Sequence, residues 1–260
     1  MAKEIGRSRA SWIGGLHSVE ETLAARPRDI LEVLLDRKAA SSSPDHAALL
    51  ARCRQAGVKA RLAERHELDR VVHGRHQGAV ARVAAPPRQD LGGFLRELPE
   101  DRKKGALLVA LDQIQDPHNL GAIARSALNF GASGLIIPEH RSSPVTPVAI
   151  AASAGAIQKI DVFQVVNLRQ ALDSCKEAGF WVRGADAAGE PANKAALHRP
   201  LVLVIGSEGE GMRRLVREAC DSLVGIPQSK AGVESLNASC AASVLLYEIW
   251  RQSAAAGGKP

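Results

Sequence analysis

The apolar positions of this chain fall into short runs separated by polar, glycine and proline punctuation, and the runs alternate between two periods. In the first third, the spacing predicts strands over 30–35, 58–62 and 79–83 and helices over 45–55 and 67–72. Ser18 is expected to cap a helix ending near Ala25, and Gly57 to close the 45–55 helix. Strands and helices that alternate within about 75 residues predict a small α/β/α sandwich. Residues 1–11 are polar and basic and read as a tail.

Residues 85–105 carry a Pro-Pro pair, a Gly-Gly pair and a charged end, and read as a linker between domains, with one helical turn expected inside it at Phe94 and Leu95. A continuous apolar run at 106–111 then suits a strand buried on both faces. Further strands are expected at 135–137, 161–166, 180–185, 201–205 and 222–226. Helices are expected at 120–130, 145–152, 168–178, 212–219 and 237–251. This alternation predicts an α/β fold with a parallel sheet and helices on both faces. The expected domains are 12–84 and 106–253, with 254–260 a second tail.

Charge sharpens the division. The net charge is +6, and residues 1–105 hold 20 Lys+Arg against 14 Asp+Glu, while 106–260 hold equal numbers. A basic front domain on a neutral rear one reads either as polyanion binding joined to chemistry or as a solvated Arg-rich surface. Arg52, Arg54, Lys59, Arg61 and Arg75 are the candidates for RNA phosphates. His73 and His76 read as surface or RNA-facing, and no pattern of His or Cys spacing points to a metal. The four cysteines are expected to be buried thiols in a reducing compartment. The opening residues lack the apolar stretch of a signal peptide, and no run approaches the length of a membrane span, so the expectation is a soluble cytoplasmic protein.

Three junctions between an apolar strand and a helix hold the candidate chemistry. In Asp116-Pro-His-Asn-Leu-Gly121, Asn119 is placed to cap the next helix, which carries Arg125 away from the centre of its apolar stripe. Gly206-Ser-Glu-Gly-Glu-Gly211 is glycine-rich yet lacks both the dinucleotide fingerprint and the P-loop Lys. Its acids Glu208 and Glu210 would repel a pyrophosphate, so an adenosine ligand without phosphate fits better. S-adenosylmethionine is one, and its sulfonium is positive. A plain turn remains the alternative there. Ile226-Pro227 and Ser235-Leu-Asn237 precede the last long helix, and taken alone the latter reads as a cap. Open α/β sheets bind ligands at such strand ends, which makes one composite site the simplest reading.

Taken together, in this order, the three segments resemble the three motifs of the SpoU (TrmH-like) branch of the SPOUT methyltransferases, over about 107–252. The first unit, with its Gly14-Leu-His-Ser-Val and Arg75-His-Gln-Gly stretches, is similar to the L30e-like substrate-binding domain often fused to that branch. The two-domain layout resembles family members that methylate a guanosine in 23S rRNA. The resemblance implies a deep trefoil knot in the second domain. It also implies a homodimer whose active site is completed at the subunit interface, and S-adenosylmethionine held largely by backbone groups at Gly206, Ile226 and Leu236, with Ser207 and Pro227 nearby. It assigns proton handling at the ribose 2′-hydroxyl to Arg125. Because a guanidinium keeps its proton in proteins, Arg125 can instead grip the sugar and phosphate and stabilise the developing alkoxide. Asn119 and Glu208 would orient it and the ribose, and Ser235 and Asn237 would hold the loop and substrate. Gln158 and Glu234 depart from the usual family pattern and are expected to bear on substrate choice. The alternatives are a transfer-RNA or resistance-type rRNA 2′-O-methyltransferase, or a non-catalytic RNA-binding protein on the same fold.

Overall fold

A computed structural model describes residues 10–84, 89–229 and 235–255. The chain divides into two compact units. The first begins with strand β1 (Ser11–Gly14), helix α1 (Leu16–Ala25), β2 (Ile30–Asp36), α2 (Arg37–Ser42) and α3 (Pro44–Gln55). It continues with β3 (Ala60–Ala63), α4 (Arg65–Val71) and β4 (Ala79–Val83). The sheet order is β1-β4-β2-β3, with β2 and β3 parallel and the other pairs antiparallel. The pattern at 10–14 is too short to predict β1, which forms by pairing Ser11 to Gly14 against Val83 to Val80. Ser18 does not cap α1. The helix starts at Leu16 behind Gly15, and Ser18 lies buried inside it.

His76 is not on the surface either. It is 2% exposed, its Nε2 lies 2.9 Å from Asp69 Oδ1, and its Nδ1 accepts from Gly78 N. Gly78 itself adopts φ +76°, and a Cβ there would sit 3.0 Å from His46 Nε2. The Arg75-His-Gln-Gly stretch is thus a built turn as well as a basic one.

The second unit opens with α5 (Leu91–Glu97) and α6 (Glu100–Lys103), so much of the expected linker is structured. Asp90 caps α5 through the Gly92 and Gly93 amides. Leu91 and Phe94 pack on the core, with the Phe94 ring 4.9 Å from Phe163. Then come β5 (Leu107–Leu111), α7 (Pro117–Asn129) and β6 (Gly134–Pro138). The connection 145–159, with α8 (Pro147–Ala152), belongs to the first unit. There Gln158 is buried and hydrogen-bonded to Thr22, and Lys159 pairs with Glu21. Gln158 is therefore held inside the first unit and makes its contact there. Glu234 lies outside the described residues.

The second unit resumes with β7 (Asp161–Val165), α9 (Leu168–Glu177), β8 (Trp181–Pro191), β9 (Leu201–Ile205), α10 (Arg214–Ala219), β10 (Ser222–Gly225) and α11 (Ala238–Ala255). Its sheet runs β10-β8-β9-β5-β6-β7, all parallel. β5, β6 and β9 are buried at every position, as their unbroken Leu/Val/Ile runs require at the centre of a covered parallel sheet. No helix among the described residues is long and apolar enough to cross a membrane.

Arg199 ties this unit together at the opposite ends of its strands. Its guanidinium donates to the carbonyls of Gly105 (3.0 Å), Phe130 (2.9 Å) and Gly131 (3.2 Å), so it closes the C-terminus of α7 and the entry to β5. Arg199→Ala should lower the unfolding free energy by about 1–2 kcal/mol, the scale of losing charge-assisted hydrogen bonds to carbonyls that water can partly satisfy. Urea titration measures the loss.

Candidate active site

The carboxyl ends of β9, β5 and β8 meet the loop before α11, and two adjoining cavities open there. The first holds about 350 Å³, within the ordinary range for a small-molecule site. Its walls include Gly206, Ser207, Glu208, Ile226, Ser235 and Leu236. The second holds about 450 Å³ and is lined by Gln113, Ile114, Gln115, Asp116, Asn119, Ser207, Glu208 and Glu210.

The glycine-rich segment is a closed turn and not the mouth of a helix. Ser207 and Gly211 exchange backbone hydrogen bonds of 3.0 Å each way. Gly209 and Gly211 take φ +90° and +68°, where residues with a Cβ are strained. At Gly206 the constraint is steric: a Cβ would stand 2.2 Å from the Gly211 carbonyl carbon. α10 begins only at Arg214.

One buried carboxylate anchors this turn. Asp112, with no exposed surface, ends the apolar β5. Its Oδ2 accepts from Arg213 N at 2.7 Å, and its Oδ1 accepts from Arg213 Nε (2.8 Å) and Nη2 (2.6 Å). The exit of the turn is thereby pinned to the neighbouring strand. The sequence marks Asp112 only as an acid closing an apolar run, and its partner lies 101 residues away.

The opposite wall comes from an irregularity in pairing. β8 and β10 run in register through Gly184 and Leu223, and then Val224 pairs with Glu190. The surplus residues of β8 bulge out and supply Ala185, Asp186 and Ala187 to the first cavity. Gly189 permits it, since a Cβ there would lie 2.5 Å from Val224 N. Burial works to raise the Asp186 carboxyl, but hydrogen bonds from Arg217 Nε (2.9 Å) and Ala188 N (2.9 Å) outweigh it and hold it below the usual carboxylate range. Strand periodicity gives no sign of such a bulge.

The third motif is both cap and site. Asn237 Oδ1 accepts from Ser239 N (2.8 Å) at the start of α11, while its Nδ2 donates to Glu208 Oε2 at 3.0 Å. One side chain therefore fixes the last helix to the glycine turn. Asn119 does not cap α7. That role falls to Asp116, which accepts from His118 N at 2.9 Å and stands before Pro117 at the first helical position. Asn119 is left free to face the second cavity. Pro227 is exposed and lies outside both linings.

Arg125 is not brought to either cavity. Six residues beyond Asn119, it sits about 9 Å further along α7 and about 120° around it. It is exposed and makes no hydrogen bond or ion pair among the described residues. α7 packs on α11, with Ser126 Oγ 2.7 Å from Ser243 Oγ. Beside that pair α11 exposes Cys240, Val244 and Tyr247, a stripe at helical spacing.

The buried thiols take no part. Burial pushes Cys175 up to about 12, and burial, aided by Asp221, does the same for Cys220, so neither offers a thiolate near neutrality. The five basic residues expected to meet RNA all lie exposed on the first unit. Arg52 pairs with Glu20 and Arg61 with Glu67, while Arg54, Lys59 and Arg75 make no ion pair among the described residues.

Comparison with known proteins bears on both units. Residues 106–247 match the SpoU rRNA Methylase family, and residues 12–89 match the RNA 2'-O ribose methyltransferase substrate binding family. The 23S rRNA (guanosine-2'-O-)-methyltransferase RlmB of Pseudomonas putida is 39% identical over 94% of this chain and 98% of its own. That of Pseudomonas syringae pv. tomato is 37% identical over 95% and 98%. Among solved structures, the SpoU methyltransferase AviRb from Streptomyces viridochromogenes, in complex with AdoMet, matches with a TM-score of 0.79. It is 25% identical, over 96% of this chain and 92% of that one.

The Asp112 anchor carries its own test. Asp112→Ala leaves the Arg213 guanidinium without its buried partner and should cost about 3 kcal/mol of stability. Denaturant unfolding reads the loss, and a change under about 0.5 kcal/mol would mean that the pair is not what holds the turn.

Proposed function

Because this chain belongs to the SpoU rRNA methylase family, we propose that it methylates a ribose 2′-hydroxyl, using S-adenosylmethionine, on a guanosine of 23S rRNA. The observation that carries this reading is the pair of adjoining cavities, built from three separated motifs and lined by carboxylates with no Lys or Arg among the described residues. Asp186, Glu208 and Glu210 suit a cation and oppose a pyrophosphate, and that is the charge of a sulfonium ligand. The cofactor supplies a methyl carbon already activated by its sulfonium.

The protein's contribution is placement, exclusion of water and care of the hydroxyl proton. Gly206, Ser207, Ile226 and Leu236 cradle the cofactor by shape and backbone, and Pro227 stiffens the exit of β10. Asn119 and Glu208 orient the ribose in the second cavity. Asn237 holds Glu208 in place, and Ser235 stands at the mouth. The knot implied by the motifs belongs to the same reading.

Arg125 reaches the reaction from a second copy. Unpaired among the described residues, it is a cation on an exposed helix face beside the apolar stripe of Val244 and Tyr247, so burying that stripe in a homodimer also delivers the guanidinium to a site. There it grips the 2′-oxygen and an adjacent phosphate and stabilises the alkoxide. Arg52, Arg54, Lys59, Arg61 and Arg75 on the first unit supply phosphate affinity. The protein works in the cytoplasm, where its RNA is.

Arg125→Ala should leave cofactor affinity within about threefold by calorimetry. Methyl transfer to unmodified 23S rRNA should fall by about 10²- to 10³-fold, the usual loss for a charge stabiliser. Arg125→Lys should fail similarly for want of the planar fork. Wild-type turnover in either variant would remove Arg125 from the site. Val244→Asp combined with Tyr247→Asp should give monomers by light scattering and lose transfer as well. Active monomers would refute the shared site.

A further inference from the structure

A third cleft opens on the same carboxyl edge of the second sheet, beyond β5. It holds about 390 Å³, and its lining includes His140, Arg141, Asn167, Arg169, Arg213 and Arg214 but no carboxylate. The two cavities beside it show the reverse, with Asp116, Asp186, Glu208 and Glu210 and no basic residue among the described ones. Two contacts link the surroundings of the second and third clefts. Arg213 carries the Asp112 clamp next to Gln113, and Ser143 N donates to Ile114 O at 2.7 Å, which joins the rim of the third cleft to the wall of the second.

Arg141 is the distinctive residue. Its φ is +57°, a left-handed conformation uncommon for a long side chain. The loop around it is pinned on both sides: Glu139 N donates to Val165 O, Ser142 Oγ to Pro138 O, and Ser143 N to Ile114 O. The guanidinium thus held out makes no hydrogen bond or ion pair among the described residues. Arg169 stands 3.9 Å from Asp173, and Arg214 pairs with Glu218. Both pairs are largely solvent-facing and so weakly committed.

Resting on the proposed RNA substrate, we propose that this cleft binds backbone phosphates of the RNA next to the methylated nucleotide. The electrostatic argument is direct. A ribose entering an acidic cavity brings phosphates that the cavity repels, and the strand must discharge them nearby. β9 to β7 spans three inter-strand spacings, about 14 Å, so the cleft lies within reach of the same strand of RNA. Arginines suit phosphate because their forked donors match its oxygens.

The test uses the full-length protein and an unmodified 23S rRNA transcript, with Arg141→Gly combined with Arg169→Gln. Glycine accepts the left-handed φ, so the loop keeps its shape, and Arg213 is left in its clamp. At about 0.1 M salt the RNA dissociation constant should rise about tenfold, and the salt slope should fall by about 1–2, one for each phosphate that the variant no longer neutralises. The KM for RNA should rise while kcat at saturation and cofactor affinity stay within about twofold. A variant that melts like the wild type but keeps RNA affinity and slope overturns the proposal. So does one that loses only inhibition by inorganic phosphate, since the cleft would then hold a small anion alone. Should the wild type methylate no 23S rRNA while the slope still falls in the variant, the cleft stands and the assigned reaction does not.

Discussion

A carboxylate with no exposed surface at the end of a fully apolar strand must be matched where it stands, and Asp112 is matched by Arg213 alone among the described residues. That pair fixes the far end of the glycine turn, where it runs on towards α10. The turn fixes Glu208, and Glu208 takes the hydrogen bond from Asn237 that also starts the last helix. Three stretches far apart in the chain are thus placed by a single chain of polar interactions, two links of which involve residues facing the cavities. Backbone rigidity does the rest, because Gly206 leaves no room for movement between the arms of its turn.

The two charge environments on this edge divide the labour. Acids gather where β8, β9 and β5 end, and arginines gather where β6 and β7 end. Such a separation would be pointless for a neutral ligand. It makes sense for a reaction whose two partners carry opposite charge and must meet without binding in each other's place.

Much of this was legible in the order of residues. Runs such as 201–205 cannot be anything but buried strand, and β9 spans those residues. α3, α7, α9 and α11 fall within a few residues of their expected spans. What failed was local hydrogen-bond choice. Ser18 and Asn119 are sound cap residues, but Gly15 and Asp116 occupy the positions where the chain enters those helices. Helix α5 was read only as one turn at Phe94 and Leu95 because its two glycines mimic a linker, whereas its stability comes from Leu91 and Phe94 on a core that only the fold assembles. Motif residues gave most of the cavity lining. Asp186 could not be foreseen, since it depends on a register jump against a strand that comes later in the chain. Arg125 was read as a site residue from its motif, whereas in the single chain it faces solvent, away from both cavities.

The allocation of residues 145–159 to the first unit has a consequence for biogenesis. A nascent chain that has delivered residues 10–84 to the exit tunnel still lacks Gln158, which with the Ser18 carbonyl is one of two partners of the buried Thr22 hydroxyl, and Lys159, the partner of Glu21. That piece emerges only after β5 and β6 of the other unit have been made. At about 5–20 residues per second, several seconds pass with the front half synthesised but incomplete. The protein is therefore not two beads on a string that can be swapped or shortened at will. Grafting the front half onto another catalytic body would require carrying this excursion along with it.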